Sequence, residues 1–225
     1  SLLVVKIPDL VTKSKSSIHS ITTDFLEGFQ TISKNKGLRY LFLYAMAITF
    51  IMMPAAIMFP LLTTGHYAGG KWEMGIVEVV WGGGMLIGGV ILSIFKLKGS
   101  KVAAVNIMYV LLGLTFILSG VLPASWFVEF VMVTAIGGVS LSVFNGCFTA
   151  IVQTEVSPEK LGRVFSLYYS LAVFPSVIGL LFTGLIAEVI GVNITFIVSG
   201  CLAILVGILS FGTRNLMQLG KIKNV

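Results

Sequence analysis

Residues Gly75 to Lys101 read GIVEVVWGGGMLIGGVILSIFKLKGSK. An apolar run from Met74 to Phe95 carries one carboxylate near its start, Glu78, and then five glycines: Gly82, Gly83, Gly84, Gly88 and Gly89. It closes on a basic cluster, Lys96, Lys98 and Lys101. At about 1.5 Å per residue, a helix of this length crosses a bilayer core of about 30 Å. The stretch is therefore a span, a seam of small residues, a carboxylate in apolar surroundings and a basic marker of one membrane side. Gly84 and Gly88 are spaced as a small-xxx-small pair, which lets a neighbouring backbone approach closely. Packing alone accounts for them without a ligand.

The rest of the chain shares this character. Of its 225 residues 56% are hydrophobic and only 11% charged, with a mean hydropathy of +1.02. Soluble domains carry about 25% charged residues, so the composition points to an all-α membrane protein with the lipid bilayer as its solvent. A net charge of +6 would point to nucleic acid in a soluble protein. Here the basic residues lie in the loops, and no nucleic-acid partner is expected. Cys147 and Cys201 fall inside apolar spans, where they read as small buried hydrophobes. The opening SLLVVKIP (Ser1–Pro8) lacks the basic start of a secretory signal; residues 1–7 read as the end of a preceding transmembrane helix.

Residues 8–37 form an extended polar segment, read as a linker. Within it Ile18, Ile21, Phe25, Phe29 and Ile32 recur at spacings of three and four, which puts them on one helical face. Thr22 or Thr23 caps the start, with Asp24 and Glu27 in the first turn. Flanked by Lys13, Lys15, Lys34 and Lys36, this amphipathic helix either lies on the membrane surface or packs on the loops.

Residues 38–213 hold six apolar runs: Leu38–Thr64, Met74–Phe95, Val102–Val121, Trp126–Gln153, Val164–Ile190 and Val192–Phe211. Residues 214–225 form a tail. Assigning the loops alternately to two sides puts all but Lys71 of the 15 Lys and Arg residues on one side. By the positive-inside rule that side is cytoplasmic, with both ends of this segment and the tail there. Trp72 and Trp126 then fall at the outer interface. Glu159 and Arg163, like Lys96, Lys98 and Lys101, sit at the cytoplasmic side; Arg163 is either a topological anchor or a gate contact.

Two sets of three spans fit an inverted 3+3 repeat. Pro54 and Pro60 interrupt the first span, and Gly137 and Gly138 its counterpart, the fourth. The second has its glycine run, and the fifth has Pro175, Gly179 and Gly184. Matching interruptions mark these four as pathway-lining; the third and sixth read as more uniformly lipid-compatible.

The stretches MPAAIMFPL (Met53–Leu61), GMLIGGV (Gly84–Val90), SGVLP (Ser119–Pro123), SPEKLGRVFSL (Ser157–Leu167) and GLIAEVIGVN (Gly184–Asn193) occur in that order, with Ile7–Pro8 before them and Pro175 between the last two. With these the chain resembles the C-terminal half of a major facilitator superfamily transporter, and within it the macrolide-efflux branch of bacterial drug exporters. The resemblance implies a twelve-helix, proton-driven exporter in the bacterial cytoplasmic (inner) membrane, without a cofactor. Helices seven to twelve are those present, and a missing N-terminal six-helix half is the partner. The substrate would be a small hydrophobic drug such as a macrolide, moved by alternating access. One departure is clear. The superfamily's loop motif is echoed as Gly89-x-x-x-Ser93 followed by Lys98-Gly99-Ser100-Lys101, so serine stands where the motif has aspartate, and a charge-relay gate through that position is not expected. A siderophore exporter of the same superfamily, or a free-standing six-helix scaffold or channel subunit, are the alternative readings.

Glu78 and Glu129 each sit about one turn inside the outer end of a span. A carboxylate in hydrocarbon costs several kcal/mol unless paired, neutralised or wet. Each is either a coupling or substrate-binding carboxylate or an interfacial side chain reaching headgroup water. Asn145, Thr149 and Gln153 recur at i, i+4 and i+8, one polar stripe that either lines a pathway or bonds to another helix. Met53, Trp81, Met85 and Tyr168 either supply an adaptable apolar wall of the cavity or are simply lipid-facing or core. Neither a nucleophile–base set, nor metal spacing, nor a phosphate loop occurs, so no enzyme is expected. Asn193-Ile-Thr195 reads as a helix cap rather than a glycosylation acceptor.

Overall fold

The computed structural model describes residues 18–94 and 99–219, and within them the side chains of all but 18–24, 175, 176 and 178–187. The span end at 1–7, Lys13, Lys15, Lys96 and Lys98, and the side chains of Pro175, Gly179 and Gly184 lie outside the described set. The helices are α1 (Ile18–Lys34), α2 (Lys36–Ile57), α3 (Phe59–Leu61) with a π-helical turn after it (Leu62–His66), α4 (Lys71–Ile94), α5 (Lys101–Val121), α6 (Phe127–Glu155), α7 (Pro158–Val189), α8 (Val192–Gly212) and α9 (Arg214–Met217). Among the described residues, Lys36–His66, α4, α5, α6 and α8 are long and apolar enough to cross a membrane, and α7 runs for 32 residues. The protein is an all-α, multi-pass membrane protein.

Local chemistry sets these boundaries. Asn35 caps α2, its side-chain oxygen accepting from the Gly37 and Leu38 amides at 3.0 and 3.3 Å. Ser100 caps α5 through the Ala103 amide at 3.3 Å. The turn from α7 to α8 passes through Gly191 at φ +86°, a conformation that suits glycine. Pro54 lies inside α2 and has no N–H to continue the ladder. The helix ends at Ile57 and resumes at Phe59 with Pro60 in its first turn. The first span is thus interrupted where its prolines predict. The fourth is not: α6 runs unbroken through Gly137 and Gly138, because those glycines serve as contact surface.

That surface is a backbone-to-backbone seam. A Cβ on Gly84 would collide with the Ala135 carbonyl, one on Gly88 would lie 2.7 Å from the Val139 carbonyl, and one on Gly138 would collide with the Trp81 carbonyl. A second seam joins α5 to α8. A Cβ on Gly113 would lie 2.6 Å from the Gly200 carbonyl, and one on Gly200 would collide with the Gly113 carbonyl. Lipid tails are as apolar as the side chains, so helices in a bilayer associate through such close packing. The expectation that the third and sixth spans are mainly lipid-compatible is therefore corrected. Among the described residues they pack on each other more extensively than any other pair of helices.

The packing maps onto itself when α2, α4 and α5 are exchanged with α6, α7 and α8. Contact of α2 with α7 becomes contact of α6 with α4, that of α2 with α8 becomes α6 with α5, and the α5–α8 pair becomes itself. This exchange fits an inverted three-plus-three arrangement in which α5 and α8 are each other's counterparts. At one end of the bundle α1 packs on α7, Gly28 meeting the Arg163 carbonyl and Ile32 buried. Phe25 and Phe29, from the same predicted face, stay exposed. Gly37 meets the chain at Asn215 and Leu219 at this end. At the opposite end His66, Leu122 and Asn193 come together, so the loops alternate as the sequence implies.

Gly113→Ala and Gly200→Ala are each expected to cost roughly 1–3 kcal/mol by overpacking. The double variant should cost less than the sum, because both strain one contact. Gly75→Ala, with open space at its Cβ, should leave the thermal unfolding midpoint in detergent unchanged.

Candidate functional site

Glu78 lies on α4 seven residues after Lys71, about 10 Å along the helix axis. It borders a cavity of about 250 Å³ together with Ala56, Phe59, Val77, Trp81, Thr134 and Leu141. An adjoining cavity of about 130 Å³ shares Phe59, Val77 and Glu78 and adds Pro60, Thr63, Met74 and Gly75. The groove exists because the first span breaks. Resuming at Phe59 sets that ring 5.6 Å from Trp81, 5.6 Å from Phe116, 6.2 Å from Phe130 and 5.0 Å from Phe196. One side chain thereby ties α3 to α4, α5, α6 and α8, at spacings favourable for aromatic pairs. On α6, Gly137 leaves room for the indole, since a Cβ there would lie 2.8 Å from the Trp81 ring.

Among the described residues Glu78 makes no hydrogen bond or ion pair, and its side chain is exposed. The Thr134 hydroxyl beside it donates to the Phe130 carbonyl at 2.8 Å. The groove thus sets an unpaired carboxylate against aromatic walls, a combination whose chemistry suits an organic cation. Leu141, which borders the cavity, stands one turn before Asn145, Thr149 and Gln153 on the same face of α6. Asn145 and Gln153 are exposed and Thr149 half-buried, so the polar stripe continues from the groove towards the α1 end.

The other named residues are dispersed. Trp81 lines the groove. Met85, one turn further along α4, is part-exposed beside the seam with Gly138, and Met53 on α2 is half-buried. Tyr168 does not sit on an open wall. It is buried with its ring 5.6 Å from Phe42 and 4.7 Å from Phe148, joining α7 to α2 and α6. Glu129 is exposed in the first turn of α6, where the helix dipole favours a carboxylate, and it borders neither Glu78 cavity. Lys101 opens α5 and Glu159 is exposed at the start of α7.

Arg163 forms an ion pair with Glu27 of α1, and the Asn35 amide donates to Glu155 at 3.1 Å. Both join the linker to the bundle; the sequence singles out Arg163 and Glu27 but not these pairings. Asn35 was readable as a cap before Lys36-Gly37; its second bond, 120 residues away, had no sequence signal. Asn193 is not a helix cap. Its side chain bonds His66 and the Gly120 carbonyl, while Gly191 precedes α8.

Macrolide efflux protein A of Streptococcus pyogenes is 35% identical over 208 residues, which cover 92% of this chain and 51% of that protein. Its namesake from Enterococcus faecalis is 34% identical over 180 residues, covering 80% and 56%. A Bacillus subtilis protein named as an MFS-type transporter is 35% identical over 81 residues, covering 36% and 19%. The chain spans about half the length of the macrolide efflux relatives it matches. No family model matches it, and no solved structure does.

A cysteine at position 78 of the full-length protein, in a background without other cysteines, should react with a water-soluble maleimide much faster than one at Val77, which is buried. Labelling rates in membranes check this; equal rates would remove the wet groove.

Proposed function

The chain belongs to the major facilitator superfamily, and we propose that it forms the C-terminal half of a proton-coupled exporter of hydrophobic drug-like molecules such as macrolides. The observation that carries this reading is the unpaired Glu78 carboxylate in an aromatic-walled groove, continued by a polar stripe. The name shared by the relatives supports the macrolide class. That the chain matches only about half of their length supports a second six-helix half, against which the groove closes.

In this reading Glu78 is the carboxylate at which proton and drug alternate, exposed between aromatic walls. Trp81, Phe59 and Met85 supply apolar contact to the drug, and Asn145 and Thr149 offer hydrogen bonds along its path. Drug and proton occupy the site in turn while the halves rock against each other to expose it to either side. The energy comes from the proton gradient, so no cofactor is needed. The α1 end faces the cytoplasm of a bacterial inner membrane, with the basic residues retained there. Arg163 and Glu27 then hold the linker against α7 on that side, a tie worth little in isolation because both groups are well exposed.

Drug accumulation in cells expressing the full-length protein, with and without a protonophore, tests the reading. Export should fall when the gradient collapses, and Glu78→Gln should lower export while leaving membrane abundance unchanged. Accumulation indifferent to the protonophore would reject proton coupling.

A further inference from the structure

At the end of the bundle away from α1, the π-helical turn Leu62–His66 places the His66 ring between two helices. Its Nε2 lies 2.8 Å from the Leu122 carbonyl oxygen at the end of α5. Its Nδ1 lies 2.8 Å from Nδ2 of Asn193 at the start of α8. The same Nδ2 lies 3.3 Å from the Gly120 carbonyl.

These neighbours fix the protons. A carbonyl only accepts, so Nε2 carries hydrogen and faces Leu122. Gly120 likewise requires the amide nitrogen of Asn193, whose second hydrogen then points into Nδ1. Nδ1 must therefore be bare. A proton on Nδ1 would set an N–H against an N–H. Turning the amide over would relieve that but set Oδ1 against the Gly120 carbonyl. The contact holds only for the neutral ring.

The ring joins α2, through its π-helical turn, to α5 and to α8, and so bridges the two repeats. Its neighbour Tyr67 adds a tie that does not depend on this proton. The Tyr67 hydroxyl donates to the Ser119 carbonyl at 2.8 Å, and its ring stacks on Phe130 at 4.3 Å. The segment is unusually wound. After the π-helical turn, a form common at functional sites, Ala68 stands at φ +51°, which residues other than glycine adopt at a cost.

Among the described residues four charged groups stand at this end of the bundle. On the α4 side stand Lys71 and Glu73, whose carboxylate accepts from the Gly70 amide at 2.7 Å. Glu129 on α6 and Glu188 on α7 are exposed. Residues 119–122 of α5 and 191–195 of α8 include no titratable side chain. Among the described residues none of these groups bonds to His66.

We propose that His66 is a proton-binding site separate from the Glu78 groove, and that a proton from water binding at Nδ1 releases the π-helical turn from α8. The proton takes the lone pair that accepted from Asn193, while Nε2–H keeps its bond to Leu122. The effect is a latch between repeats that opens on acidification at this end of the bundle. Its test does not involve transport, so it stands or falls separately from the exporter reading.

Hydrogen–deuterium exchange on the full-length protein at about pH 7.5 and about pH 5.5 brackets the range in which imidazoles change charge. After correction for the intrinsic exchange rate, amides of 62–67 and 192–196 should lose protection roughly three- to tenfold at the lower pH, the loss of one hydrogen bond. His66→Gln offers a donor and an acceptor but cannot titrate, and should be equally protected at both pH values. Tyr67→Phe should keep the pH dependence. If His66→Gln does not fold, Asn193→Ala serves, with low protection expected at both pH values. Wild-type protection indifferent to pH, or the wild-type pH response persisting in His66→Gln or Asn193→Ala, would overturn the proposal.

Discussion

The bundle depends on the close crossing of α5 and α8 at Gly113 and Gly200, where each glycine faces the other's carbonyl. In a bilayer no hydrophobic gain drives two apolar helices together, so contact at the backbone level has to supply the attraction. A side chain at either position would push the helices apart and separate the two repeats they belong to. The α4–α6 seam, built on Gly84, Gly88 and Gly138, repeats the device where the groove lies. Its partner glycine, Gly137, makes the space that the Trp81 indole fills. Small residues on α6 thus determine where the aromatic wall beside Glu78 stands.

The break in the first span determines the rest of the site. An unbroken helix would carry the Phe59 ring elsewhere; resumed after Met58, it anchors the chain among Trp81, Phe116, Phe130 and Phe196. The same re-winding leads into the π-helical turn that delivers His66 to α5 and α8. One irregular segment therefore borders the groove and carries the His66 contact. On the proposed reading, a proton-binding carboxylate and a proton-sensitive contact are reached from a single interruption of α2.

The legible features were those with periodicity or charge behind them. Five long apolar helices and the alternation of loops follow from hydropathy, and Pro54 and Pro60 mark the break of the first span within a few residues. Glycine was the ambiguous letter. In α6 it reads equally as an interruption or a contact surface, and only the position of Trp81 on another helix decides. The same ambiguity hid the α5–α8 crossing, because Gly113 and Gly200 are single glycines in otherwise uniform apolar runs. Glu78 stood out as a lone carboxylate. Its likeness to Glu129 dissolved once α6 placed that residue in an exposed first turn. Asn193 and Tyr168 were misplaced for a shared reason: a polar or aromatic side chain shows its type in sequence but not its partner, and here the partners lie on other helices.

Proton release on drug binding is the most direct measure of whether Glu78 exchanges a proton for substrate. Purified full-length protein in weakly buffered detergent, mixed with a macrolide and a pH indicator, should release protons. The Glu78→Gln variant should bind drug without that release. Equal release from both proteins would contradict the assignment of the site.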